Sequence, residues 1–246
     1  MTSRSRCAAI FLVITGFGEI AYAAPAVAPT ACGIRSLPLA VGNTWTYKSG
    51  AATVTIAILN VAPGKTITGT AATEIKVKEL YGDRIVATTW TCTPGDGLTI
   101  PPESFFFSGE PGGATSGAFQ VLTHQNATLP ADGSLVLGAT WVEKITADAV
   151  RGDASGEGLT HLPGKVELER HVTIGTVENL AMEVGQFAAQ KVSFELRGRS
   201  LVEDQRYEFP VKRPGAIWIA RGLGVVKIDD PFDKTWELIS TNATRR

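Results

Sequence analysis

The chain has 246 residues, 44% of them hydrophobic and 19% charged, which is ample for one buried core and suits a single all-β domain. Its 23 basic and 24 acidic residues leave a formal net charge of −1, a balance that suggests no nucleic-acid partner, since such binding normally needs a basic face. Alanine, glycine, threonine and valine are abundant and long helical Leu/Glu/Lys patterns are scarce, so the composition leans toward β structure.

The N-terminus reads as a secretory signal over residues 1–23. Arg4 and Arg6 precede an apolar stretch from Cys7 to Phe17, and Ala21-Tyr22-Ala23 offers small residues where a signal peptidase cuts. The apolar stretch is short for a bilayer span, and Gly16, Gly18 and Glu19 interrupt its end. Residues 24–36, with Pro25 and Pro29, are expected to be extended, and residues 37–246 to form one β domain. Removing Cys7 with the signal leaves Cys32 and Cys92, which in an oxidising compartment most simply form one disulfide. Such a bond stabilises a fold by roughly 4 kcal/mol in the chain-entropy model. Two alternatives stay open: a pair of free buried thiols, or lipidation of Cys32, although Pro29-Thr30-Ala31-Cys32 lacks a Leu-like residue three places before the cysteine.

A first strand begins at Trp45-Thr46-Tyr47 after a Gly42-Asn43 turn. Ala52 to Ala62 places Val54, Ile56 and Ile58 on one face and is expected to end at Pro63-Gly64, with a short strand over Thr66–Thr70. Ile75 and Val77 alternate with Glu74, Lys76 and Lys78, and Arg84 to Cys92 follows a Tyr81-Gly82-Asp83 turn. Pro101 to Ala118 is the least regular stretch. Its Phe105, Phe106 and Phe107 read either as a core strand sealed on both faces or as an apolar flap that meets a ligand, hinged on the glycine-rich run to Gly117.

Further strands are expected at Phe119–Leu129, Trp141–Ala147, Lys191–Glu203, Tyr207–Val211 and Thr235–Ser240, with an exposed loop from Arg151 to Gly158. Ile217 to Ile228 reads as strand, glycine-set kink and strand. The cleanest alternation sets Val166, Leu168, Arg170, Val172 and Ile174 against Glu167, Glu169, His171 and Thr173. Arg170 alone breaks that apolar row. It is either a rim residue with a snorkelling stem or a charge inside a cavity that meets a ligand head group. No segment carries a sustained helical apolar stripe.

Leu39 to Trp45 returns as Leu135 to Trp141, with identities at Leu39/Leu135, Gly42/Gly138, Thr44/Thr140 and Trp45/Trp141. Trp90 precedes Ile100 by ten residues with Gly95 and Gly97 between, and Trp218 precedes Ile228 by ten with Gly222 and Gly224 between. These words suggest a two-fold pseudo-repeat of about 39–100 and 135–228.

Chemical motifs are scarce. Gly-x-Ser-x-Gly, Ser-x-x-Lys, His-Glu-x-x-His and Gly-x-x-x-x-Gly-Lys are absent. His124, His161 and His171 stand without a close ligand cage, Glu167 and Glu169 beside His171 read as a solvated strand face, and Glu203-Asp204 and Asp229-Asp230 read as turn residues. No catalytic residue, metal or cofactor is assigned.

Pro38-Leu39-Ala40-Val41-Gly42-Asn43-Thr44-Trp45-Thr46-Tyr47 resembles the opening phrase, Pro-Leu-x-x-Gly-Asn-x-Trp-x-Tyr, of a broad family of uncharacterised bacterial exported proteins and lipoproteins. Met182 to Val192 and Trp218-Ile219-Ala220-Arg221-Gly222-Leu223-Gly224-Val225-Val226-Lys227 are similar to two later phrases of the same family. The resemblance implies a curved antiparallel sheet, partly closed as a half-barrel like a lipoprotein carrier or lipocalin, in the periplasm or secreted. It implies no catalytic residues. On that fold, the chain is expected to be a non-enzymatic envelope protein holding an apolar or lipid-like ligand on its concave face, lined by Phe105, Phe106, Phe107, Leu168, Arg170 and Val172. The alternatives are an interaction module for another envelope protein, and a hydrolase. The hydrolase requires a cleft that brings His124 or His161 to a carboxylate and a Ser or Thr.

Overall fold

The alternating segments form one antiparallel sheet of thirteen strands in a computed structural model that describes Cys32 and residues 34–109, 118–152, 159–202 and 205–243. The expected signal, residues 24–31, the glycine-rich run 110–117, the loop 153–158 and Glu203-Asp204 lie outside the described residues. The strands are β1 (Thr44–Ser49), β2 (Ala52–Lys65), β3 (Ala71–Tyr81), β4 (Arg84–Thr93), β5 (Gly97–Thr99), β6 (Ala118–Gln125), β7 (Leu129–Pro130), β8 (Thr140–Gly152), β9 (Leu159–Met182), β10 (Gly185–Val202), β11 (Gln205–Ala220), β12 (Gly224–Asp229) and β13 (Thr235–Thr241). Their order across the sheet is β6-β8-β9-β10-β11-β12-β13-β1-β2-β3-β4-β5-β7. Among the described residues no helix is long and apolar enough to cross a membrane.

The order itself shows the curl. β6 and β7 stand at opposite ends of the sheet, yet only residues 126–128 separate them in the chain. Four residue steps span at most about 14 Å, so the two edges must come round to meet at this corner. The result is the unclosed, curved half-barrel that the family resemblance implies.

Period-two burial fills the inside of the curve. Val54, Ile56, Ile58, Ile75 and Val77 face inward and are buried, as are Val192, Phe194 and Leu196 on β10. The three consecutive phenylalanines do not form a strand. They make one helical turn, α1 (Phe105–Ser108), with every residue buried. The cause is local: Pro101-Pro102 supplies no ladder N–H, Ser104 N–H bonds back to Pro101 O, and Gly109 ends the turn in the left-handed region with φ 81°. Successive side chains on a helical turn fan out by about 100°, so burying all three requires walls on several sides. The curled sheet supplies them. Phe105 meets Tyr47 and Trp236, Phe106 meets Trp45, Tyr47 and Trp90, and Phe107 faces Arg170.

Two expected breaks fall elsewhere. Pro63-Gly64 lies inside β2, and Thr66–Thr70 is the turn that follows rather than a strand. β1 pairs with β2 only as far as Ala57, so Pro63 sits where β2 has a free side, as a strand proline requires.

The two five-strand runs β1–β5 and β8–β12 open on turns with the same hydrogen bonds. Gly42 N–H donates to Ile58 O, Asn43 N–H to Ala40 O and Ile58 N–H to Asn43 O; Gly138, Ala139 and Ile174 make the corresponding three bonds with Ile174, Val136 and Ala139. Gly42 and Gly138 have φ of 86° and 80°, so the shared glycine is a backbone requirement of the turn. The closing words match less well. Gly97 pairs with Thr93 and Gly224 with Ala220, but β11 and β12 slip register between Trp218 and Ile219. Ile217 therefore takes the place of Trp90, and Trp218 packs among Glu178, Lys191 and Lys227.

Candidate ligand-binding site at the seam

Matched turns put matched pairs of residues opposite one another. Tyr47 pairs with Val54 across β1 and β2, and Glu143 pairs with Arg170 at the same offsets across β8 and β9. Where the first run buries an apolar contact, the second buries two charges. Arg170 Nη1 lies 3.4 Å from Glu143 Oε2, and both side chains are fully buried. Arg170 is therefore not a snorkelling rim residue. Its guanidinium also donates to Thr128 O at 3.1 Å and lies 4.4 Å from the Phe194 ring centre. Among the described residues its Nε and Nη2 have no hydrogen-bond partner. Burial pulls the Arg170 pKa below its ordinary value, and Glu143 works against that shift.

Glu143 is the hub of the cluster. Its Oε1 accepts the Thr128 hydroxyl and lies 2.7 Å from His124 Nε2. Thr128 is in turn tied to the backbone of Ile100, accepting its N–H at 2.8 Å. Two desolvated charges with two dangling donors are costly for a fold that could place tyrosine and valine there. The cluster sits behind His124, and His124 lines an open groove of about 900 Å³.

The groove lies at the corner where the sheet edges meet. One wall is the end of β4 with β5 and the β2–β3 turn; the other is the end of β6, residues 126–127 and the start of β8. Eight threonines line it, among them Thr66, Thr91, Thr123 and Thr140, with Trp141 as its one aromatic. Among the described residues Asp96 and His124 are its only ionisable ones, and no lysine or arginine lines it.

The six residues expected to line a concave ligand site are all buried. Phe105, Phe106, Phe107, Arg170 and Val172 are at most 1% exposed and Leu168 is 8% exposed, all within the packed interior. Cys32 and Cys92 are bonded, with Cα atoms 5.2 Å apart, so Cys32 is not a lipid acceptor and neither thiol is free. His171 is partly exposed on the outer face beside Glu169, in a ladder where Lys144 and Arg199 pair with Glu169 and Glu167. His161 lies on β9, and its side chain is outside those described. Among the described residues no group of three or more His, Cys, Asp or Glu side chains is placed to hold a metal.

Sequence reasoning isolated Arg170 but missed Glu143, Thr128 and the groove. Glu143 had a readable signal, since it shares the parity of Trp141, Ile145 and Ala147 and is a charge on their apolar row.

A second buried carboxylate braces α1. Glu79, on β3, accepts the Ser104 hydroxyl at 2.5 Å and the Phe105 N–H at 3.0 Å, while Trp90 Nε1 donates to Ser104. Burial raises the Glu79 pKa from 4.5 to about 7, against the lowering effect of the Ser104 and Phe105 bonds.

No protein-family model and no curated protein matches the chain. Two solved structures align with most of the chain. A protein of Bacteroides fragilis assigned as exported, with a YmcC-like fold, aligns at 11% identity with a TM-score of 0.49, over 84% of this chain and 98% of that one. A protein of Parabacteroides distasonis assigned as a lipoprotein aligns at 12% identity with a TM-score of 0.41, over 85% of this chain and 99% of that one.

Proposed function

We propose that the chain is an exported, non-enzymatic binding protein of the bacterial envelope that seats an uncharged, hydrogen-bonding ligand in the seam groove. The observation that carries this reading is His124: it borders a groove walled by hydroxyls and is held from behind by Glu143, itself buried against Arg170. Buried charge joined to a cleft is characteristic of a binding site, where stability is given up for a fixed polar group. The near-absence of charge in the walls favours a neutral ligand such as a glycan or a polypeptide backbone. Export is supported by the signal-like N-terminus and by a disulfide, a bond that forms and persists mainly in oxidising compartments. The interior is occupied by α1 and its aromatic neighbours, so we place the ligand at the seam instead of on the concave face.

Native mass spectrometry of the mature protein purified from its own envelope tests the reading. A co-purifying neutral ligand that Thr123→Arg abolishes supports it. A lipid-extractable adduct that survives Thr123→Arg, or a bare chain mass in both proteins, contradicts it.

Hydrolysis is the second reading, because the structure does bring a histidine, a carboxylate and a threonine together beside a cleft. The Thr128 hydroxyl, however, bonds Glu143 and not His124, so the attacking group would be a water activated by His124. Turnover of a chromogenic ester that His124→Ala removes would favour it over simple binding.

A further inference from the structure

The strand count at the seam is incomplete in a specific way. Every neighbouring pair in the sheet is antiparallel, and the run from β6 through β8 and round to β4 contains eleven strands. An odd run leaves its two edge strands, β4 and β6, pointing the same way. They cannot pair with each other antiparallel, and one strand of opposite direction is needed between them.

That strand exists only as a stub. β5 pairs antiparallel with β4 through Gly97–Thr99 and with β7 on its other side. β7 continues β6 beyond residues 126–128, so β5 occupies the slot between β4 and the β6–β7 chain. At Ile100 the main chain leaves that slot, its N–H taken by Thr128, and Pro101-Pro102 leads it inward to α1. Below the stub, β4 from Arg84 to Trp90 pairs only with β3, and β6 pairs only with β8, among the described residues. The slot is one strand wide where β5 fills it. α1 lies on its inner side, beneath Trp90.

We propose that the slot between β4 and β6 receives an extended peptide segment of a partner protein, which continues β5 and runs antiparallel to both edges. The proposal rests on the seam reading and names the polypeptide backbone as the ligand. Two edges of matched direction, unpaired among the described residues, offer a single inserted strand a full set of backbone hydrogen bonds, one ladder on each side. α1 beneath the slot favours alternate apolar side chains pointing inward, and the solvent side favours polar ones.

The test pans a random dodecapeptide display library on the full mature chain and follows amide hydrogen exchange with a selected synthetic peptide. Selected peptides that alternate apolar and polar residues, and that slow exchange by about tenfold or more at both 84–90 and 118–124, are expected. Peptides that protect only residues 122–127 and 139–142 overturn strand insertion and leave the seam groove standing as a binding site. Failure to select any peptide, or protection of these edges in the free chain equal to that of β1, also overturns insertion. In that case, glycan-array binding that Thr123→Arg removes keeps the seam reading alive, and its absence ends both.

Discussion

Glu143 and Arg170 stand directly opposite each other on β8 and β9, fully buried and 3.4 Å apart, where the corresponding strands of the first run hold Tyr47 and Val54. The substitution of a charge pair for an apolar pair sets the behaviour of the second run apart from the first.

Removing one charge should cost far more than removing both. Arg170→Met leaves Glu143 buried against His124 and Thr128 alone and is expected to cost about 3–5 kcal/mol. The double variant Glu143→Leu/Arg170→Met should return to within about 2 kcal/mol of the wild type, the remainder reflecting the lost acceptor of His124 and Thr128. Urea unfolding of the two variants checks both values. A double variant as unstable as the single would mean that packing, and not uncompensated charge, dominates at this site.

Stability should fall as pH rises through neutrality, and Glu79 is the cause. Its folded pKa, about 7, lies above its ordinary 4.5, so the folded state binds the extra proton between these values. The associated stabilisation is complete below pH 4.5 and lost as pH rises through 7, about 3 kcal/mol in all. Glu79→Gln, which keeps the shape and an acceptor for Phe105 N–H, should flatten the profile across that window. Denaturant midpoints taken at half-unit intervals from pH 4.5 to 8 show whether the slope belongs to Glu79.

The disulfide joins residues 60 apart in sequence, tying the described N-terminus to β4. Cys32→Ala/Cys92→Ala should lose roughly 4 kcal/mol, and reduction of the wild type should reproduce that loss. Matching denaturant midpoints for the reduced wild type and the double variant would show that the covalent link, and not cysteine packing, supplies the stability.

The aromatic plug should be intolerant of truncation. Phe106 is 1% exposed and packs against Trp45, Tyr47 and Trp90, so Phe106→Ala is expected to cost about 3–5 kcal/mol. Ile85→Ala, at a side chain 61% exposed near the start of β4, should stay within about 0.5 kcal/mol. Thermal unfolding of the pair distinguishes a packed interior from a concave face that yields to a ligand.

Period-two alternation made the strands and their inward faces legible. Val54, Ile56 and Ile58, and the row from Val166 to Ile174, face the core as read. The disulfide followed from counting cysteines, and the shared turn from Gly42 and Gly138. Alternation assigns a residue to a face but does not say which distant strand curls round to it. For that reason alternation marks Arg170 as anomalous but does not point to its partner Glu143, 27 residues earlier. The same limit hid the groove, since its walls come from β2–β5 and from β6 and β8, which meet only because the sheet bends. Phe105–Phe107 is not legible as a helical turn because three apolar residues carry no period, and the proline pair and Gly109 that make them one act through backbone bonds.

The most direct test of an open seam around a filled interior is residue-resolved amide hydrogen exchange of the mature chain without any ligand. Alternate amides of 84–90 and 118–124 should exchange as exposed edge amides do, while β1, paired with β13 on one side and β2 on the other, stays protected. Protection along both edges as strong as that of β1 would mean that the barrel is already closed there, and would contradict the placement of the site.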